Sequence, residues 1–324
     1  MVGQADAILQ RNNPVPETLN GALAVFYVSV NLMQYFVLPL WLLPWDLRWA
    51  WLLLPIILLT NPFWSLLHEA IHDLFHSNKS VNMLVGRALA MLFGSPFRIL
   101  RLSHLVHHKL NRMPVEGTEY YDREKCSKAA AAPGYYFQIL AGLYLVEVVS
   151  PLFFFLPRRL LERLRERFLP AQGVSSILMQ SWLGLESLRE IRRDGAATLT
   201  ILALAFYCYG GYWPLLLGAL AARGLLISFL DNVYHYATPV SDVFFAKNLS
   251  LPGPLAGLLL NFNLHGIHHI NPAIPWIDLP RAFDVQAGKF HGSYFPTALQ
   301  QLRGPIALQE LPQGAQVLRV RAFR

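Results

Sequence analysis

Residues 22–72 read ALAVFYVSVNLMQYFVLPLWLLPWDLRWAWLLLPIILLTNPFWSLLHEAIH, and their pattern decides the fold. Ala22 to Leu43 carries no charge and is long enough to span a hydrocarbon core of about 30 Å. The break Pro44-Trp45-Asp46-Leu47-Arg48 then returns the chain into a second apolar run, Trp49 to Leu67. The stretch is a transmembrane hairpin in outline, and its turn, with Trp41, Trp45, Trp49 and Trp51, suits an interfacial aromatic belt. It ends on His68 and His72, four residues apart.

Composition extends this reading to the whole chain. Of 324 residues, 54% are hydrophobic and 15% charged, against about 25% charged in a soluble domain, so soluble, disordered and fibrous classes are excluded. The net charge of +7 does not mark a nucleic-acid partner, because the basic residues lie between apolar segments, where they set membrane topology. Cys126 and Cys208 are the only cysteines, too few for a disulfide framework or a Cys-ligated cluster, so any metal falls to His or carboxylate. The first twenty residues are polar, with Asn12, Asn13, Pro14 and Pro16 and no apolar signal core, so the mature chain is expected to begin near Met1.

A second hairpin is expected from Ala196 to Trp213 and Leu215 to Leu230, turning at Gly210, Gly211 and Pro214 without a charge. The Arg- and Lys-rich stretches 98–128 and 158–194 are placed in the cytoplasm by the positive-inside rule. Asn82 to Pro96 and Tyr135 to Leu156, flanked by those stretches, are then re-entrant or interfacial, since a single crossing would violate parity. Residues 157–168 read as a basic amphipathic helix on the membrane surface. The expected architecture is an all-α membrane protein with four transmembrane helices in two hairpins, re-entrant or interfacial helices and a cytoplasmic cap. It forms one membrane-embedded domain over 1–324, with a polar segment 1–21, a C-terminal cytoplasmic tail 281–324, and both termini in the cytoplasm.

Eight of the eleven histidines fall in three clusters: His68 and His72; His104, His107 and His108; His265, His268 and His269. On a helix, residues three or four apart are neighbours, so each cluster is a ready half-site for a metal. The topology puts all three on the cytoplasmic side. His68-Glu69-Ala70-Ile71-His72 also matches the H-E-x-x-H of zinc metalloproteases, but that reading leaves at least five clustered histidines unexplained. A bis-His haem protein or a metal transporter is a further alternative, in which the adjacent pair His107-His108 has no need.

The clusters stand as HEAIH, HLVHH and HGIHH, the last within NFNLHGIHHINPAIPW, and the chain here resembles the integral-membrane fatty acid desaturase and hydroxylase superfamily, whose boxes are HxxxH, HxxHH and HxxHH. The resemblance runs from the first hairpin to about Pro280. It implies a His-rich, non-haem di-iron centre in the cap, with two irons as cofactor and O2 as co-substrate, acting on a fatty acyl chain or other lipid. It also implies His235 as a ninth ligand beside the eight box histidines, with no separate acid or base. In Asp231-Asn232-Val233-Tyr234-His235 an Asp stands where the family usually has Asn; if the helix continues, Asp231 shares a face with His235 and is a possible ligand. Desaturation is the commonest chemistry of the resemblance. Decarboxylation to a terminal alkene, hydroxylation and carotenoid oxidation use similar boxes.

Several polar residues are candidates for supporting roles. Glu69, Asp73 and Glu116 are possible acceptors for ligand imidazoles, and Asn261 and Asn263 possible supports of the third box. His76 sits past its box, so a supporting or surface role is expected. Arg98, Arg101 and Arg223 are candidate cations for a substrate head group, and Arg223 and Glu147, both inside apolar runs, could instead pair. No HPGG haem-binding signature or Cys cluster is present, so electrons are expected from a separate ferredoxin, rubredoxin or cytochrome b5-type donor with its reductase. Arg158 to Arg193 would dock an acidic donor, or contact anionic lipid. A bacterial inner membrane is the expected location.

Overall fold

The computed structural model describes residues 14–117 and 119–317, so expectations for residues 1–13 and 318–324 lie outside the described chain. Helix α1 (Glu17–Leu32) continues as a π-helix over Met33–Leu42. The widening has a local cause in Pro39, which has no N–H to give, and the Gln34 carbonyl five residues back accepts the Tyr209 hydroxyl instead (2.9 Å). At the expected break, Asp46 turns extended and caps the next turn by accepting from the Arg48 N–H (2.8 Å). The return leg, α2 (Leu53–Leu58) and α3 (Thr60–Ile71), bends by 42° between the two. It runs antiparallel to α1: Asn20 donates to the carbonyls of Leu74 and Phe75, and Tyr27 stacks on Phe63 with ring centroids 5.2 Å apart.

After α4 (Lys79–Phe93) the chain reaches Gly94 at φ 111°, a left-handed helix end, and bends by 100° into α5 (Phe97–Leu110). There follow β1 (Tyr120–Tyr121), α6 (Lys128–Phe137), α7 (Leu143–Phe154), α8 (Arg158–Phe168), α9 (Val174–Trp182), α10 (Leu185–Tyr209) and α11 (Trp213–Asp231). Gly210, at φ 50° and ψ −121°, breaks α10 from α11. Contacts on α7 show that the two reverse. A Cβ on Gly195 would touch Pro151, and one on Gly224 would touch Tyr144. A straight helix would separate residues 195 and 224 (224 − 195 = 29 residues) by about 43 Å, whereas positions 144 and 151 on α7 are only about 10 Å apart. By length and composition, Glu17–Trp45 and Leu185–Tyr234 are apolar enough to cross a membrane, with up to five crossings if each of three bent helix pairs counts as one. The protein is a mostly helical membrane protein.

The described chain groups into two compact units, each drawn from separated stretches. The first to describe is the apolar unit, residues 17–103 and 140–228, which holds both hairpins. Ile99, Phe154, Leu161, Met179, Leu183, Leu188 and Ile191 form one of its cores, so the amphipathic α8 buries Leu161 while Arg158, Arg159, Arg163 and Arg167 stay exposed. Ion pairs join its polar end: Arg87 with the buried Asp194, Arg98 with Glu190 (2.9 Å), and Arg101 with Asp73 (2.7 Å).

The second unit comprises residues 104–139 and 229–317 with the short segment before α1. Beyond α11 it contains β2 (Val240–Asp242), α12 (Gly253–Leu258), α13 (His265–Ile270), α14 (Leu279–Val285), α15 (Tyr294–Gln300), β3 (Ile306–Ala307) and β4 (Gln313–Val317). Strand β1 pairs in parallel with β3, and β2 with β4. Residues 281–317 are therefore no loose tail: Tyr135 donates to the Gln301 carbonyl (2.7 Å) and Tyr236 to that of Gly304 (2.9 Å). The buried Arg112 pairs with Glu119 and donates to the carbonyls of Thr238 (2.7 Å) and Pro239 (3.2 Å), tying α5's exit to the segment after His235.

Candidate metal centre

Seven of the nine histidines expected as ligands lie in the second unit. His104, His107 and His108 occupy the last turns of α5, and His265, His268 and His269 make up half of α13. His235 arrives differently. Helix α11 ends at Asp231 and a 3-10 turn, Asn232–Tyr234, follows, so Asp231 and His235 do not share a helical face as a continued helix would require.

One donor nitrogen from each of His107, His235, His265 and His269 lies within 4.8 Å of the others, and the same holds among His104, His108 and His268. Four close approaches are between Nε2 atoms: His104–His108 at 2.9 Å, His108–His268 at 3.0 Å, His265–His269 at 3.1 Å and His107–His235 at 3.2 Å. Two ligands at right angles on a metal–nitrogen distance of about 2.1 Å sit about 3.0 Å apart, so these spacings fit imidazoles sharing a cation. Burial, reinforced by neighbouring imidazoles, holds His104, His235, His265 and His269 well below the usual imidazole pKa. They stay neutral at neutral pH with a lone pair to offer.

His107 is held the other way. Burial lowers its pKa, but the charge of Glu116 and their hydrogen bond, with the more distant Asp231, outweigh burial and raise it. Glu116, on a 3-10 turn after α5, meets His107 Nδ1 at 2.7 Å. A proton kept at Nδ1 leaves Nε2 as the donor, the arrangement that fixes a ligating imidazole. By contrast, the buried Nδ1 atoms of His235 and His265 have no hydrogen-bond partner.

In the apolar unit, His68 is buried on the last turn of α3 and His72 caps its end, with ring centroids 4.6 Å apart. Glu69 is buried beside them. Asp73, a possible acceptor for a ligand histidine, instead takes Arg101 and Asn82. Arg98 and Arg101 are both in ion pairs, Arg223 is enclosed by Asn31, Gln34 and Tyr35, and the Glu147 side chain lies outside the described residues. His76 is at the surface, its Nδ1 accepting from the Asn78 N–H (2.9 Å).

Asn263 supports the third box, donating to the Leu249 carbonyl (2.8 Å) while its own carbonyl accepts the Leu249 N–H (2.8 Å). Neither Glu69 nor Asp231 belongs to a donor group among the described residues. Asn261 adopts a left-handed turn and donates to Trp276 (3.2 Å).

Sequence reasoning missed three supports. Asn111 donates to the carbonyls of Val243 (3.1 Å) and Phe245 (2.9 Å) beside His269. Asn248 accepts the Ile267 N–H (3.1 Å) on its side chain, and His291 clamps it with two bonds, Nδ1 from its N–H (3.0 Å) and its own N–H to its carbonyl (2.8 Å). Nothing in the local sequence marks Asn248 or His291, whose link runs between distant segments; Asn111, three residues past the second box, was the one with a visible cue.

A family model described as fatty acid desaturase matches residues 43–298. No curated protein and no solved structure gave a match.

Proposed function

The chain belongs to the fatty acid desaturase family, and from that premise we propose that it is an O2-dependent di-iron oxidoreductase that removes two hydrogens from a fatty acyl chain to leave an alkene within it. The observation that carries the proposal is the meeting of His107, His235, His265 and His269 through closely set nitrogens, with Glu116 fixing the proton of His107. The two irons are assigned to the eight box histidines with His235, following the three boxes. Bound there, the iron pair supplies O2 activation and the capacity to take hydrogen from an unactivated C–H bond.

The protein's own groups prepare that chemistry. Glu116 holds the His107 proton away from the donor nitrogen, and burial keeps His104, His235, His265 and His269 neutral. Asn248 and His291 fix the backbone of α13, and so the direction of three imidazoles at once. The site is proposed at the cytoplasmic face of a four-crossing membrane bundle, with the turns at Trp45 and Gly211 on the far side. A separate electron donor is proposed to dock through its acidic face on the exposed arginines of α8.

The test supplies purified protein with O2, a reducing system and a panel of free fatty acids, acyl-CoA and phospholipid, with products identified by mass spectrometry. Loss of two hydrogens at constant carbon number is the expected result. A volatile alkene one carbon shorter would assign decarboxylation instead, an added oxygen hydroxylation, and turnover of a polyene alone would remove the acyl substrate. One zinc with no iron, together with proteolysis, would overturn the whole reading.

A further inference from the structure

Arg223 lies in the middle of α11, 2% exposed, inside an otherwise apolar hairpin bundle. Its hydrogen bonds all leave from Nη1, to Asn31 Oδ1 (3.2 Å), Gln34 Oε1 (3.1 Å) and the Tyr35 hydroxyl (3.1 Å). These acceptors are fixed from behind. Asn31 gives its amide hydrogens to the Tyr27 carbonyl (2.8 Å), and Tyr35 gives its proton to that of Leu92 (3.1 Å). All three are neutral, and no carboxylate among the described side chains bonds the guanidinium. A buried charge answered only by dipoles is costly in an apolar bundle, and an ionisable group at such depth marks a place where an opposite charge is stabilising.

The unused donors lie at the same place. Arg223 Nε is buried and without a partner, and so is Nε2 of Gln34, a side chain that is 0% exposed. Gln34 cannot turn to satisfy it, because its oxygen already accepts from Arg223 and a turned amide would face the cation with its own hydrogens. The Nε side of a guanidinium is the edge that grips a carboxylate with two parallel bonds.

We propose that Arg223 and Gln34 bind the carboxylate of a free fatty acid whose chain lies among the apolar helices around them. The proposal rests on the fatty acyl reading for the ligand's chain; the carboxylate follows from the donors. It names the substrate class as free acid, since the acyl carbonyl of a thioester or ester is uncharged, and the phosphates of acyl-CoA and phospholipid sit on large polar head groups, whereas this edge is buried among apolar helices.

The test is equilibrium binding of tritiated dodecanoate to the purified full-length protein by scintillation proximity, without reductant. Unlabelled dodecanol should compete about 10- to 100-fold more weakly than unlabelled dodecanoate, as expected for loss of a charge-assisted pair, and acetate should compete more weakly still. Arg223→Met should erase the preference for acid over alcohol, and Gln34→Leu, which keeps the charge and so guards against a misfolded Arg223 variant, should reduce it several-fold. Equal competition by dodecanol or by acetate overturns the site, as does a preference retained in both variants. A preference abolished by Glu147→Gln while surviving in Arg223→Met overturns it too. Absence of binding alongside desaturation of an ester refutes the site but not the enzyme reading, whereas acid-selective binding by a protein that takes up no iron refutes only the latter.

Discussion

Gly266, inside the third histidine box, is where a single methyl group tests the metal centre. A Cβ built on it would lie 2.5 Å from the Ala246 carbonyl oxygen and 2.8 Å from Asn248 Oδ1. The first is backbone and cannot swing aside. The second is the atom that accepts the Ile267 N–H, so moving it breaks a support of the same helix. Restoring an ordinary carbon–oxygen contact of about 3.3 Å therefore shifts α13 by roughly 0.8 Å. That helix carries His265, His268 and His269, whose Nε2 contacts with each other and with His108 are 3.0 to 3.1 Å. A displacement of this size costs about 100-fold in a positioned reaction and about 1–3 kcal/mol as overpacking. Gly266→Ala should thus insert in the membrane but retain well under half of the wild-type iron by elemental analysis, with turnover down by about two orders of magnitude. Gly257→Ala is the control, because nothing lies within 4 Å of its Cβ; it should be neutral, or stabilising by up to about 1 kcal/mol. Full iron and full activity in Gly266→Ala would show that α13 is not held against Ala246 and Asn248 as described.

Wild-type protein should contain about two irons per chain, and replacing His107, His235, His265 or His269 by Ala should lower that content while membrane insertion survives; unchanged iron in several of these variants would sink the assignment. Glu116→Gln should weaken iron retention by about 10- to 100-fold in a chelator titration, because the carboxylate that holds the His107 proton is gone; a chelator curve superimposable on wild type would refute that role. His291→Ala should have a similar but smaller effect on iron retention and lower the unfolding temperature by a few degrees, through the freed Asn248, with an unaltered melting profile arguing against the clamp. For topology, a single cysteine at Gly211, in a background with Cys126 and Cys208 changed to Ser, should react with an impermeant thiol reagent from outside intact cells, and one at Lys109 should not; labelling at Lys109 would reverse the proposed orientation.

The hairpins were legible because they depend on short-range physics. A charge-free apolar run, a Pro-Trp-Asp break and a Gly-Gly turn each declare themselves locally, and the structure places reversals at Asp46 and Gly210. The histidine boxes were legible for the same reason, since i, i+3 and i, i+4 spacing sets a face whatever the helix packs against. Legibility failed where the outcome depended on which distant segment arrives. Residues 281–317 have no long apolar run and so suggested a tail, yet their two strands find partners 186 and 73 positions away (306 − 120; 313 − 240), which no local pattern encodes. Whether the last apolar helix runs on past Leu230 to His235 was open in the sequence for the same reason: in the structure it ends at Asp231, where Asn232 is held by Gln301 Oε1 (2.9 Å), and Gln301 donates in turn to the Phe229 carbonyl (2.8 Å).

That last contact gives Asp231 a different place in the chemistry from the one its spacing suggested. A helix continued to His235 would have turned both residues to one side and offered the carboxylate as a ligand. With the helix ended and the next turn tightened to 3-10, the ninth histidine is delivered by the turn and Asp231 acts on His107 through space, raising its proton affinity together with Glu116. Two carboxylates thus bear on one imidazole while His235 and His265 have no hydrogen bond at Nδ1. An imidazole whose Nδ1 proton is held by carboxylate charge is the more basic donor at Nε2. The proton affinity of the four is therefore uneven: that of His107 is raised, while burial lowers those of His235, His265 and His269.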